Sequence, residues 1–280
     1  MAGPRLSGIP LLPLRLATDG PEPTSGHAGA RLALRPAAPR GEHRRPPLPY
    51  HRPVPKVAAI EIGQSPRPDL VEELMAVLPD DAELFEVGAL DGIDPTSIPP
   101  IRFDAENPLS TRLVDGQQLI VDEPWIAPHV QRAVDDAQAR GAEAIVLLCA
   151  GGFDAVQATK PLIRPAQAVA EVLRTHGVRT ILVVVPSPRQ IPASEAKWRA
   201  LGFDPLMLWT PLPKGLDDVV EAGAEVKAVV LDYVGHPAKL IDRLEDALES
   251  ETDALLYDLG RYAAFAMADL LATSAAGSTR

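Results

Sequence analysis

The sequence predicts an α/β fold of two similar halves, each a parallel sheet with helices on its faces, set on either side of a cleft. Three observations predict it. Short apolar, β-branched runs alternate with helical patterns along residues 56–272, the signature of parallel strands with crossover helices. The pattern then restarts: Val57–Ile62 and Val178–Val185 both read as strands, and both run into Ser-Pro-Arg, at 65–67 and 187–189. A later strand in each half ends on a residue with chemistry, Cys149 in the first and Tyr233 in the second. The tripeptides lie 122 residues apart and the strand ends 84. The first half therefore carries roughly 38 extra residues, which an insertion at 88–123 supplies.

In order along the body, Val57–Ile62 is a strand and Asp69–Leu78 a helix, with Leu70, Leu74, Val77 and Leu78 on one face. Ala82–Val87 is a second strand. Asp115-Gly116 between the apolar-containing runs of Thr111–Val121 signals a hairpin. Ala127–Arg140 is a helix stopped by Gly141, and Ala144–Cys149 a buried strand. The second half reads as strand Val178–Val185, a helix to Leu201, strand Phe203–Trp209, helix Leu216–Ala222 and strand Val226–Asp232. A helix from Pro237 to about Leu248, strand Ala254–Tyr257 and a helix to Ala272 complete it. The halves are placed at 56–160 and 161–272, the last helix packing on the first half, with 273–280 as a disordered tail.

The chain has 280 residues, 46 % of them apolar, enough for one large or two ordinary domains. Residues 1–55 stand apart. They hold twelve of the 30 prolines and eight Arg without a Lys, against three acids. Their net charge of +5, set against −11 for the whole chain, leaves −16 for residues 56–280. This segment is expected to be a disordered tail or a translated upstream region; repeated proline conflicts with the amphipathic helix of a transit peptide. A body at −16 is the wrong sign for nucleic acid, and no run approaches a membrane span. A single cysteine excludes disulfides and multi-cysteine metal sites. His129, His176 and His236 lack metal-ligand spacing, and no GxxxxGK[ST] loop occurs, so neither metal nor cofactor is expected. Without a signal-like segment the expected compartment is the cytoplasm, where a lone thiol stays reduced.

Ligands of open α/β sheets bind beyond the carboxyl ends of the strands. Four segments end strands in turn-forming residues: Gly63–Pro68, Cys149–Gly152, Pro186–Gln190 and Tyr233–Pro237. Two facing halves would bring all four to one cleft suited to a small anion, because amides at turns and helix starts carry partial positive charge. Gln64, Ser65, Ser187 and Gln190, with the amides at Gly151 and Gly152, are the expected carboxylate binders; capping of a helix start is the competing use of Ser65 and Ser187. Arg67, like Arg189, offers a bidentate guanidinium beside a helix start, or is simply solvated. A free cysteine is usually a small buried hydrophobe. Cys149, at a strand end before Ala-Gly-Gly, is instead expected to be reactive.

The blocks Ile62–Asp69 (IGQSPRPD), Gly88–Gly92, Thr111–Gly116, Leu147–Gly151, Val185–Gln190 with Lys197-Trp198, and Leu231–Gly235 together resemble the AroM family, in order over about 56–272. That family is similar to the aspartate/glutamate racemase superfamily, so the resemblance implies a racemase-like fold of two pseudo-symmetric halves around an active-site cleft. It also implies cofactor-free proton transfer at the α-carbon of a carboxylic acid by two opposed cysteines, and often a homodimer. Cys149 falls where the first-half cysteine would be. The second, in an LDCxGY-like stretch, is here Leu231–His236, with Tyr233 in place of the cysteine and His236 in place of the aromatic. Tyrosine, with a pKa near 10, is a poor base at neutral pH. The resemblance then implies a one-thiol isomerase or lyase-like enzyme acting on a small carboxylic acid. Cys149 is its working group, Tyr233 or His236 supplies the other proton, and Arg67 and Gly235 lie at the binding loops. The alternative is a non-catalytic binding or regulatory protein for an acidic metabolite, its second cysteine replaced by Tyr233.

Overall fold

The computed structural model describes residues 54–277. The expected tail at 1–55 lies outside the described residues except for Val54 and Pro55, which lead into the first strand. The first half contains β1 (Lys56–Glu61), α1 (Pro68–Val77), β2 (Glu83–Gly88), the hairpin β3 (Pro108–Arg112) and β4 (Gln118–Asp122), α2 (Glu123–Ala139), β5 (Ala144–Leu147), β6 (Leu162–Ile163) and α3 (Pro165–Thr175). The second contains β7 (Thr180–Val185), α4 (Ile191–Ala200), β8 (Asp204–Trp209), α5 (Leu216–Gly223), β9 (Ala228–Leu231), α6 (Ala238–Glu251), β10 (Leu255–Asp258) and α7 (Leu259–Gly277).

Two parallel four-stranded sheets result, in the orders β2-β1-β5-β6 and β8-β7-β9-β10. They are the same arrangement made twice, β1 corresponding to β7 and β5 to β9. The hairpin sits in the first half, as the insertion required, and the second half has α6 where the first has only a loop. The strands read as continuous apolar runs because both faces are covered. Alternate residues divide between two cores. Val57 and Ala59 of β1, with Ile181, Val183 and Val185 of β7, enter a central core shared by the halves, where α1, α3, α4 and α7 also pack. Ala58 and Ile60 face α2, whereas Leu182 and Val184 face α5 and α6. Each fully buried aliphatic side chain contributes about 1.5–3 kcal/mol, so the shared core binds the halves firmly.

The differences from the sequence reading have local causes. The two-residue β6 and α3 were not anticipated. β6 is too short to show a period, and the small alanines in the α3 stripe Ala166, Val169, Ala170 and Leu173 weaken its helical signal. Because β6 pairs with β5, the first sheet continues past residue 160. α2 starts at Glu123, earlier than expected, and takes Pro128 into its interior. α7 crosses back to pack on α1 and α3 and runs to Gly277, beyond residue 272. No helix among the described residues is long and apolar enough to cross a membrane.

Candidate functional site

The carboxyl ends of β1, β5, β7 and β9 converge beneath the β3–β4 hairpin. The hairpin is closed by Asp115-Gly116, with Gly116 at φ +89° and the Asp115 carboxylate accepting from the Gln117 amide at 2.9 Å. It is pinned over the strand ends by the Gln64 amide, which donates to the Arg112 carbonyl at 3.1 Å, and by the Gln64 side-chain oxygen, which accepts from the Val114 amide at 3.0 Å. Under it lies a cavity of about 40 Å³. At roughly 10–15 Å³ per water it has room for about three waters. Glu61, Arg67, Thr111, Arg112 and Cys149 of the first half line it together with Gln190 and Tyr233 of the second.

Cys149 stands two residues beyond β5 and is 7 % exposed. Its sulfur accepts from the Gly151 amide at 3.3 Å. Burial, together with the Glu123 and Asp232 carboxylates, pushes the thiol up to about 12, against the opposing pull of the Gly151 amide and Lys197. The thiol is therefore neutral at physiological pH. Burial also raises the Tyr233 phenol, an effect that Arg67 and Arg112 oppose. His236 packs against Tyr233 with ring centroids 5.0 Å apart and the planes tilted by 57°, and burial drives it down to about 4. It is an uncharged neighbour of the cavity wall rather than part of it.

Positive charge is arranged on the first-half side. The Arg67 guanidinium donates to both oxygens of Asp69, at 2.9 and 2.8 Å, and holds that carboxyl below its usual range; Arg112 lies 3.6 Å from the same carboxylate. Two guanidiniums share this one carboxylate beside the cavity. Glu61, the last residue of β1, is fully buried, and neither of its oxygens has a hydrogen-bond donor from another residue. Desolvation and the facing Glu86 carboxylate push it up to about 9, so it carries its proton at neutral pH.

Lys197 on α4 joins the two strand ends that carry Cys149 and Tyr233. Its ammonium donates to the Ala150 carbonyl, next to Cys149, and to Asp232, next to Tyr233, each at 2.6 Å. Ser194 also donates to Asp232. This network borders a larger chamber of about 480 Å³, lined by Gly151, Gly152, Asp154, Arg164, Lys197 and Asp232 among others, which shares Leu109, Ala150 and Gln190 with the small cavity.

Of the residues singled out from sequence, Cys149, Tyr233, Arg67 and Gln190 meet at the small cavity, and Gly151 and Gly152 at the larger chamber. The others serve the scaffold. Gln64 fixes the hairpin, and its side-chain nitrogen bonds the Leu90 carbonyl at 3.3 Å. Ser65 caps no helix; its hydroxyl and amide bond Asp91 at 2.6 and 2.8 Å. Ser187 caps the short 3-10 turn Pro188–Gln190 by accepting from the Arg189 amide at 3.3 Å. Gly235 has φ +103°, and a Cβ there would lie 2.6 Å from Leu70, so glycine lets α1 approach the loop. Arg189 bonds the carbonyls of Arg102 and Phe103 across the cleft. The sequence reading missed Glu61, Thr111, Arg112, Ser194 and Asp232 as site residues; the strand-end rule used for Cys149 also applies to Glu61.

A model of the AroM protein family matches residues 57–254. No curated protein matches the chain by sequence. Among solved structures it is similar to unliganded arylmalonate decarboxylase, with a TM-score of 0.52 and 16 % identity over 78 % of this chain and 92 % of that one. Allantoin racemase from Klebsiella pneumoniae gives 0.53 and 18 % over 79 % and 89 %, and the maleate isomerase Iso from Pseudomonas putida S16 gives 0.52 and 14 % over 78 % and 92 %. At these identities the likeness is one of fold, and the paired four-stranded sheets account for it.

Proposed function

The chain belongs to the AroM family, and from that premise we propose that it is a cofactor-independent enzyme, isomerase- or lyase-like, acting on a small carboxylic acid in the cytoplasm, with Cys149 as its working group. The observation that carries this reading is one cavity lined by Cys149 from one half and Tyr233 from the other, with Arg67, Arg112 and Thr111 on its wall. The arginines and the Thr111 hydroxyl bind the carboxylate. The fold neighbours racemise, isomerise or decarboxylate by name, which fits this class of chemistry.

A neutral thiol is an acid before it is a base. Cys149 is suited to delivering its proton to a carbanion left when an α-substituent departs, and the Gly151 amide and Lys197 stabilise the thiolate that forms. Tyr233, not the adjacent His236, is the group across the cavity. The test is incubation in D2O with a panel of 2-substituted carboxylic and dicarboxylic acids, beside a Cys149→Ala control. Deuterium appearing at the α-carbon only with the wild-type thiol supports the reading; no exchange or turnover with any acid contradicts it.

A specific observation favours a second reading. With Cys149 near 12 and Tyr233 raised, neither opposing group is a base at neutral pH. A binding or regulatory protein for an acidic metabolite needs no base. It would show stabilisation by an acid without exchange.

A further inference from the structure

Among the groups around the cavity, Glu61 has no part in the chemistry above. It closes β1 on the face that carries Val57 and Ala59 into the shared core, and it forms cavity wall beside Cys149, Arg67, Arg112 and Thr111. It is wholly buried without a donor from another residue, at a position where the chain could have continued the apolar alternation. A buried carboxyl that receives no donor and has only another carboxyl facing it is costly unless something else uses it.

We propose that Glu61 touches the bound acid directly: its carboxylic O–H donates a hydrogen bond to a ligand carboxylate oxygen, completing a cradle with Arg112 and Thr111. The assignment rests on the acid-binding reading above and narrows the ligand to one presenting an anionic oxygen at the end of β1. The Glu61 carboxyl faces Glu86, whose carboxylate also accepts the Arg67 amide. Ligand entry turns the O–H into the cavity while Glu86 keeps that amide.

Binding then requires the protonated form of Glu61. The charged and titratable groups around it are Glu86 on β2, Asp91 in the following turn, Arg67 and Asp69 at the start of α1, Arg112 on β3, Cys149 after β5 and Tyr233 after β9. The thiol and phenol are both held above their ordinary ranges, whereas Glu61 titrates near 9. Glu61 is thus the first of the three to lose its proton as pH rises.

The experiment is titration of malonate into wild-type protein, Glu61→Gln and Glu61→Leu at pH 7.5 and pH 10. Wild-type affinity is expected to fall about tenfold between the two pH values, the share of Glu61 still protonated at pH 10 being about one in eleven. Glu61→Gln keeps a neutral donor and is expected to bind equally at both; Glu61→Leu binds weakly at both. If Glu61→Leu does not fold, the wild-type and Gln comparison decides alone. A pH-independent wild-type affinity, or a Gln variant that falls as steeply as wild type, overturns the assignment to Glu61 and leaves acid binding intact. No binding of malonate or of any acid in the panel to wild type overturns both.

Discussion

The Lys197–Asp232 pair makes the most exposed claim about how the site is held. Lys197→Met keeps the length of the side chain and removes the charge that ties Ala150, beside Cys149, to Asp232, beside Tyr233. The side chains of Lys197 and Asp232 are 15 % and 3 % exposed, so the stranded carboxylate cannot turn to water and keeps only Ser194. Breaking a buried pair from one side costs about 3–5 kcal/mol. For a folded body of this size, at about 2–4 °C per kcal/mol, the melting temperature should fall by roughly 10 °C. Adding Asp232→Asn removes the stranded charge and should return at least half of the loss. Urea unfolding followed by circular dichroism at pH 7 measures both variants. A single variant within 1 kcal/mol of wild type, or a double variant as unstable as the single, refutes the reasoning.

Three further outcomes follow from burial. The raised Glu61 carboxyl stabilises the fold fully below about pH 4.5, and that contribution is lost as pH climbs toward 9. Glu61→Gln should therefore gain on wild type by roughly 4 kcal/mol between pH 5 and pH 8 in urea unfolding; a constant difference would falsify the burial argument. Alkylation of Cys149 by iodoacetamide should be slow at pH 7 and rise about tenfold per pH unit without a plateau below pH 10, since only thiolate reacts; a plateau near pH 8.5 contradicts a sealed thiol. Trp198→Ala, which empties a fully buried site packed edge-on against Phe203 with centroids 5.9 Å apart, should cost about 3–5 kcal/mol by denaturation, and a loss under 1 kcal/mol counts against the shared core.

Much of the fold was legible because its strands are buried on both faces: Val57–Ile60 and Ile181–Val185 have no polar residue to obscure them. The duplication was legible for the same reason, since both halves lead with such a strand. β6 and α3 were not, because a two-residue strand has no period and an alanine-rich stripe has little contrast. At the site, Cys149 and Tyr233 could be placed from strand ends alone. Gln64 and Ser65 could not be judged, because what occupies them is Val114, 50 residues away, and Asp91, 26 away. Glu61 was hidden differently: it is the one polar residue of the apolar run Val57–Ile62, and the sequence does not show that it is wholly buried. Local pattern reports which elements form, whereas partners distant in sequence decide which polar side chains remain free for a ligand.

The most direct measurement of the central claim is a crystal structure of the protein with malonate. The ligand is expected in the small cavity between Cys149 and Tyr233, one carboxylate against Arg112 and Thr111. Malonate found only in the larger chamber beside Gly151 and Lys197, or only on the outer surface, would contradict it.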